Sequence, residues 1–557
     1  MKSYARILAL LLAVIMMVSV FAGCNDVPAS STDPSSSSVE PSSSEPASSE
    51  PASSEPASSE PASSEPASSE PASSEPASSE PAEPSTSVVE PDVKDPTKAP
   101  TKAPTQAPTK APTQAANDDK VVDLKGFNLR LRSEGFYAVL NMKNPDKYNK
   151  VAIDRINEVT KEYNFKITVT NNNANYQDYN TVVKAIQSGS KTIGHFITTS
   201  VPLGLAGCAA GYFQDLNSID KSTGFVASDE SRFWQSMTKT AVYEGKQYGV
   251  ALLSGSAELT EAAAGVFWLF NKNVLQKGGY SSADVYKLVR EYKWTLDEAT
   301  KIMEACYVPD ANGDGEPEVY GLMSYKRQNK YYIQLDGGQT VSKVNGKYVF
   351  SATNDNVMSV MNWLKDVYVT KKLAVTTGSS TIRNYVRDGK TVFTQGAPDY
   401  LTRGEFSGNY LAAYQANVGI VPSPVGNNQI KKKVYINPTA NADIYVMPTL
   451  VKGEEKTNAA IAFAALAKAV NNVEDCMQMM QDKGAVYGAD NLDMYKNYIM
   501  KNACADFGYI TEIVGNSDAD PISAMVLAIT GGSKEPAAAI QHYEGQIVSV
   551  INKIFRQ

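Results

Sequence analysis

Between Glu45 and Glu80 the chain repeats Glu-Pro-Ala-Ser-Ser every five residues, and that repeat decides how much of it can fold. From about Asn25 to Ala116 there is almost nothing to bury. After the Ser/Pro/Glu-rich repeat come Pro-Thr-Lys-Ala and Pro-Thr-Gln-Ala units such as Pro96-Thr97-Lys98-Ala99. A segment with so little apolar surface cannot offset the entropy of ordering itself, so the composition predicts a disordered spacer over 24–117. Frequent proline favours extended stretches of about 3.1 Å per residue, and the physical role of such a segment is reach. The spacer also explains the net charge of −8: residues 31–90 hold 12 acidic side chains, Asp33 and 11 glutamates, and no Lys or Arg. What remains is close to neutral. It has no basic stripe for nucleic acid and suits a neutral or weakly charged ligand.

Lys2 and Arg6 precede an apolar run from Ile7 to Val20, too short for a membrane span and of the form of an export signal. The run leads into Phe21-Ala22-Gly23-Cys24, which resembles the lipobox of bacterial lipoproteins. That resemblance implies removal of residues 1–23 and a lipid anchor on Cys24. The mature protein is then expected on the extracellular face of the cell membrane, attached through lipid alone.

Residues 118–557 are too many for one compact core, so two lobes are expected. Phe127–Arg132 alternates like a strand, and Ala152, Ile156, Val159 and Tyr163 fall at helical spacing. Phe165–Val169 reads as a strand, Tyr179–Gln187 as a helix, and the stretch from Ile193 to Thr198 as a further strand. Strand–helix–strand at this spacing predicts an α/β fold with a parallel sheet. Thr295-Leu296-Asp297-Glu298 has the form of a capping box opening a helix to about Cys306. Near the end, Ile540, Tyr543, Ile547, Ile551 and Ile554 make one apolar helical face. Cys208, Cys306, Cys476 and Cys504 show no metal-ligand spacing and read either as up to two disulfides or as four separate thiols.

Several segments, in order, are similar to the solute-binding proteins of bacterial ABC importers, in particular the large family that binds sugars. They are Gly211–Leu216, Glu244–Val250, Trp268–Lys272, Trp294–Glu298, Asp310–Gly315 continuing to Tyr320-Gly321, Asp388–Lys390, Val418–Pro424 and Gly531–Ala539. Two departures stand out: Val250-Ala251 replaces a usual proline, and Phe270 stands where tyrosine is usual. The resemblance implies a periplasmic-binding-protein-like fold whose two lobes close on a ligand by hinge bending, with crossovers near residues 250 and 436. It also implies ABC permease subunits as partners and a sugar or oligosaccharide as ligand. Rings that stack on sugar faces, with polar partners, are then sought in the segments facing the cleft: Trp234, Tyr248, Trp268, Tyr400 and Tyr435, with Asp399 and Asn441. Trp294 and Trp363 are assigned to the core.

The chain has two histidines, His195 and His542, and no Gly-x-Ser-x-Gly elbow, phosphate loop or His-Glu-x-x-His. No catalytic residue and no catalytic cofactor are expected. A glycosidase's paired carboxylates need not be close along the chain, so a surface enzyme or adhesin acting on polysaccharide stands as the alternative. Asp310, Asn312 and Asp314 place oxygens at alternate positions and Gly315 permits a sharp turn, with Glu316 and Glu318 following. This is either a structural calcium loop or a plain polar turn; the bidentate glutamate of a full EF-hand is absent, since Gly321 occupies the twelfth position.

Overall fold

The computed structural model describes residues 121–170, 179–259, 266–378, 385–396, 417–438, 443–514 and 520–556, apart from residues 327, 485 and 506. Along them run the strands β1 (Phe127–Arg132), β2 (Phe165–Thr170), β3 (Phe196–Ser200), β4 (Val242–Tyr243), β5 (Lys246–Gln247), β6 (Phe267–Asn271) and β7 (Tyr320–Tyr325). There follow β8 (Val341–Val344), β9 (Lys347–Phe350), β10 (Ala374–Thr377), β11 (Thr391–Gly396), β12 (Val418–Pro422), β13 (Asn437–Pro438) and β14 (Asp443–Val446). Two larger sheets define two α/β lobes. The first has the order β14–β3–β1–β2 and the second β10–β7–β11–β6–β12.

In the first lobe β1 pairs parallel with β2, from Phe127↔Phe165 to Arg132↔Thr170, and parallel with β3. The helix Lys147–Glu162 makes the first crossover. Asp146 caps it by accepting from Tyr148 and Asn149 N–H, and it buries Ala152, Ile156 and Val159, the face its apolar spacing predicts. The third strand starts later than its sequence suggests. Lys191–Ile193 forms one 3₁₀ turn, and Gly194 at φ 106° separates it from Phe196. A Cβ on Gly194 would lie 3.3 Å from the carbonyls of Arg130 and Phe196, so the strand is entered through a position that suits glycine. The core here is aromatic: Phe196 stacks on Phe463 at 4.0 Å, with Phe225 and Phe233 alongside. Phe463 comes from the helix Gly453–Val470, whose alanines let it lie close against the sheet.

In the second lobe β7 pairs parallel with both β10 and β11, while β6 runs antiparallel between β11 and β12. Trp294 and Trp363 are buried as expected, and their indole N–H groups donate to Pro422 O and Thr300 Oγ1, both at 2.9 Å. The helix Leu296–Cys306 is capped by Thr295, whose hydroxyl accepts from Glu298 N–H at 3.2 Å. The reciprocal half of the box is not made, because the Glu298 carboxylate turns to Lys301 at 2.6 Å. A full capping box forms instead at Ser281 and Asp284.

The last helix, Pro536–Phe555, serves both lobes. Ile540, Ile547 and Ile551 join the second core, while Val550 and Ile554 pack with Cys208 and Phe213 of the first. All four described cysteines are free thiols; Cys208, Cys306 and Cys476 are buried and Cys504 is half-buried. Among the described residues no helix is long and apolar enough to cross a membrane.

Candidate functional site

In open parallel sheets, ligands bind outside the carboxyl ends of the strands, where the strand order reverses. In the first sheet β1 has β2 on one side and β3 on the other, so the reversal lies between β1 and β3. At this edge β1 runs into Arg132-Ser133-Glu134 and β3 ends at Ser200. Ser133 Oγ accepts from Phe136 N–H at 3.3 Å, capping the helix Glu134–Leu140, and lies 3.4 Å from the Tyr445 hydroxyl. Thr198 Oγ1 donates to the Arg132 carbonyl at 3.1 Å, which ties the two strand ends together.

The corresponding edge of the second sheet is formed by the ends of β7, β10, β11 and β12 and by the start of β6, where Phe267 faces both Gly396 and Pro422. A buried polar set lies under it. Gln395 Oε1 accepts from Tyr325 N–H at 2.9 Å, Asn329 Nδ2 donates to Thr376 Oγ1 at 2.9 Å, and the Tyr368 hydroxyl donates to Ser324 Oγ at 2.6 Å. Asn329 Oδ1 and Gln328 Oε1 are buried and have no hydrogen-bond partner among the described residues. An amide oxygen left in that state costs about 1–3 kcal/mol until a donor reaches it.

The two edges are neighbours. The Pro438 carbonyl accepts from Val266 N–H at 2.9 Å, beside the start of β6, and Asp443 pairs with Ser200 at the end of β3. Only four residues separate Pro438 from Asp443. A fully extended link of that length spans about 18 Å, so at this point the two carboxyl edges lie within that distance of each other. The stretches 171–178, 379–384 and 397–416 follow these edges in sequence, and 260–265 and 439–442 lead into them; all lie outside the described residues. With them lie Asp399, Tyr400 and Asn441.

The four described ring candidates do not line this crevice. Trp268 sits on β6, a central strand covered on both faces, and every residue of that strand is buried. Its ring packs against Trp294, Phe393 and Tyr332 at 6.0, 5.2 and 6.4 Å. Tyr248 is fully buried and donates to the Val201 carbonyl at 3.2 Å. Tyr435 is likewise buried, donates to the Val289 carbonyl at 2.9 Å and stacks on Tyr292 at 5.6 Å. Trp234 is enclosed with Met237 and Tyr248 in the first lobe. All four rings are buried, and the two tyrosine hydroxyls are bonded to backbone carbonyls. The polar residues at the strand ends, which the sequence reading did not single out, are Arg132, Ser133, Glu134 and Ser200 in one lobe and Tyr325, Gln328, Asn329 and Gln395 in the other. Ser133 directly follows the strand read at Phe127–Arg132; the second-lobe residues carried no such signal, because no strand was read at β7 or β11.

The 310–318 loop is exposed and held by its own side chains. Asp310 accepts from Gly313 N–H at 2.7 Å and from Gly315 N–H at 2.9 Å. Asn312 and Asp314 accept from the amides two residues on, each at 2.9 Å, and Glu316 is bonded to the Tyr320 hydroxyl. The Gly315 and Gly313 amides hold the Asp310 carboxyl below its ordinary pKa. Among the described residues no group of three or more His, Cys, Asp or Glu side chains is placed to hold a metal ion.

His195 lies at the opposite, amino end of β3. Its Nδ1 accepts from Arg130 N–H at 3.0 Å and its Nε2 lies 3.1 Å from Glu455 Oε1, so the proton resides on Nε2. Arg130 Nη2 donates to the same Glu455 oxygen at 2.8 Å, and the ring stacks on Phe127 at 5.2 Å. Burial and then the Arg130 charge hold the imidazole below its ordinary pKa, against the pull of Glu455. It is a neutral structural joint, remote from the crevice.

No protein-family model matches the chain, and no curated protein matches it in sequence. Solved structures do resemble it. The galacto-N-biose-/lacto-N-biose I-binding protein of an ABC transporter from Bifidobacterium longum, in complex with lacto-N-biose, is similar with a TM-score of 0.52 at 11% identity, over 78% of this chain and 98% of that one. A cyclo/maltodextrin-binding protein complexed with maltotetraose gives 0.51 at 14%, over 77% and 97%. UgpB from Mycobacterium tuberculosis, in complex with glycerophosphocholine, gives 0.50 at 13%, over 77% and 99%. At these identities the likeness is one of fold, and it spans nearly the whole of each relative. The described body has the two-lobed α/β fold of the periplasmic binding proteins.

Proposed function

We propose that this chain is the substrate-binding component of an ABC importer, anchored through a lipid on Cys24, which captures a sugar or oligosaccharide between its lobes and delivers it to permease subunits. The observation that carries this reading is the pair of neighbouring carboxyl edges, the first furnished with hydroxyls and the second with hydroxyls, amides and two buried amide oxygens that lack donors among the described residues. Sugar hydroxyls are donors of the kind those oxygens need. Lacto-N-biose and maltotetraose, bound by proteins of this fold, belong to the same chemical class. Asp399, Tyr400 and Asn441 keep a place in the proposal, because they fall in the stretches adjoining the two edges. Hinge movement is assigned to the connections between β5 and β6 and between β12 and β14. Calcium held at Asp310, Asn312, Asp314, Glu316 and Glu318 is included as a structural ion, away from the ligand.

A thermal-shift screen of the full chain with maltotetraose, lacto-N-biose and glycerophosphocholine tests the reading. A ligand present at 100 times its Kd and bound only by the folded state stabilises by about 2.7 kcal/mol. Stabilisation by an oligosaccharide, weakened in Asn329→Ala, is the expected result. Stabilisation by glycerophosphocholine alone would replace the sugar with another ligand class. Hydrolysis of the oligosaccharides would favour the surface enzyme.

A further inference from the structure

Away from the crevice, two hairpins from different lobes meet at the end of the last helix. The β4–β5 hairpin turns at Glu244-Gly245 and belongs to the first lobe, where Gln247 N–H donates to Asp215 at 3.1 Å. The β8–β9 hairpin turns at Asn345-Gly346 and belongs to the second, whose core takes up Val341 and Tyr348. Both turns have positive φ at both central residues, 52° and 74° in one and 50° and 83° in the other. That conformation makes tight, well-defined hairpins.

Between the hairpins three rings stack. Tyr348 lies 3.9 Å from Phe555 with a 14° interplanar angle, and Tyr243 lies 5.8 Å from Tyr348 and 5.9 Å from Phe555. The Tyr348 hydroxyl donates to Glu244 Oε1 at 3.1 Å, and Lys343 pairs with the same oxygen. Arg556 then donates to the Ala210 carbonyl at 3.4 Å, just past the helix Val201–Ala209. That helix starts at Ser200 on the crevice edge, so its nine residues place the contact about 13 Å from the edge along the first lobe.

We propose that this three-ring stack and its Glu244–Lys343 pair form a clasp that sets the angle between the lobes independently of any ligand. Stacked aromatic pairs bias a two-state population several-fold, and reversing Glu244 would remove the acceptor of the Tyr348 hydroxyl and set two ammonium groups side by side against the stack. Tyr243 and Tyr348 sit on the strands of tight hairpins that belong to different lobes, so a change of lobe angle has to separate or slide the rings. The inference rests on the lobe movement in the reading above, but not on the ligand being a sugar.

The test is the inter-lobe distance in the ligand-free full chain. Spin labels at Lys166→Cys on β2 and Lys301→Cys on the helix Leu296–Cys306, both exposed, report it in a Cys504→Ser background. Tyr348→Ala should broaden or shift the distance distribution. Glu244→Lys, which changes only an exposed side chain, should do the same, and Glu244→Lys with Lys343→Glu, which remakes the ion pair but not the acceptor of the Tyr348 hydroxyl, should bring the distribution part of the way back to wild type. Distributions that coincide with wild type in both single variants would overturn the clasp. Should Tyr348→Ala fail to fold, the charge reversal and its restoration decide alone. Because no ligand enters the experiment, a failed sugar screen leaves this result intact.

Discussion

Trp268 shows how little a residue's type says about its role. Its indole could stack on a sugar, but on a strand flanked by β11 and β12 it fills the second core. Trp268→Ala should therefore cost about 3–5 kcal/mol of stability, read from denaturant unfolding, as expected when a large ring leaves a packed interior. Unchanged stability would contradict the burial. His195 and Glu455 carry a second prediction. Both have folded-state pKa values below their ordinary 6.5 and 4.5, His195 mainly through burial and Glu455 mainly through its bond from Arg130. The unfolded chain binds more protons at each, so their contribution is present above the ordinary values and is lost as pH falls. The melting temperature should drop on acidification from pH 7 through 6 and again below 4.5. His195→Gln, neutral at all these values, should flatten the upper part of that decline; an unaltered profile would remove His195 from the account.

Among elements, the alternating run Phe127–Arg132 and the spaced apolar face of Lys147–Glu162 were legible because each depends on its own periodicity. The Thr295 box was half legible: the hydroxyl bond depends on local backbone, whereas Glu298 had a second partner in Lys301 that spacing alone does not rank. The 310–318 loop is the element whose ligand remains a proposal. Calcium takes oxygen ligands, and affinity rises with the number that carry charge. If the ion binds, melting temperatures of the full chain should differ between calcium and chelator, and changing Asp310 and Asp314 together to Ala should abolish the difference. Equal melting temperatures for the wild type would leave the loop as a turn held by its own Asp and Asn side chains.

At the scale of the whole molecule, the body is expected to fold independently of its proposed attachment. Removing residues 31–117 should leave the melting temperature unchanged, because that stretch has almost no core-forming residues to contribute; a fall of several degrees would make it part of the fold. Cys24→Ser should release the protein from membranes or leave it unprocessed, and detergent-phase partitioning that stays the same would remove the anchor from the proposal.

The sequence by itself determined what is written locally: a stretch with almost nothing to bury, helices and strands with clear periods, and an α/β alternation long enough for two lobes. Tertiary structure alone decided which of those elements touch. Tyr248 and Tyr435 are indistinguishable by type from rings that bind sugars, yet each spends its hydroxyl on a carbonyl distant in sequence, at Val201 and Val289. Conversely, Asn329 and Gln395 look like ordinary polar residues until β7 and β11 pair and bring them to one edge. A binding crevice is assembled from strand ends far apart in the chain, and only sheet order and the packing of each ring decide which side chains reach it.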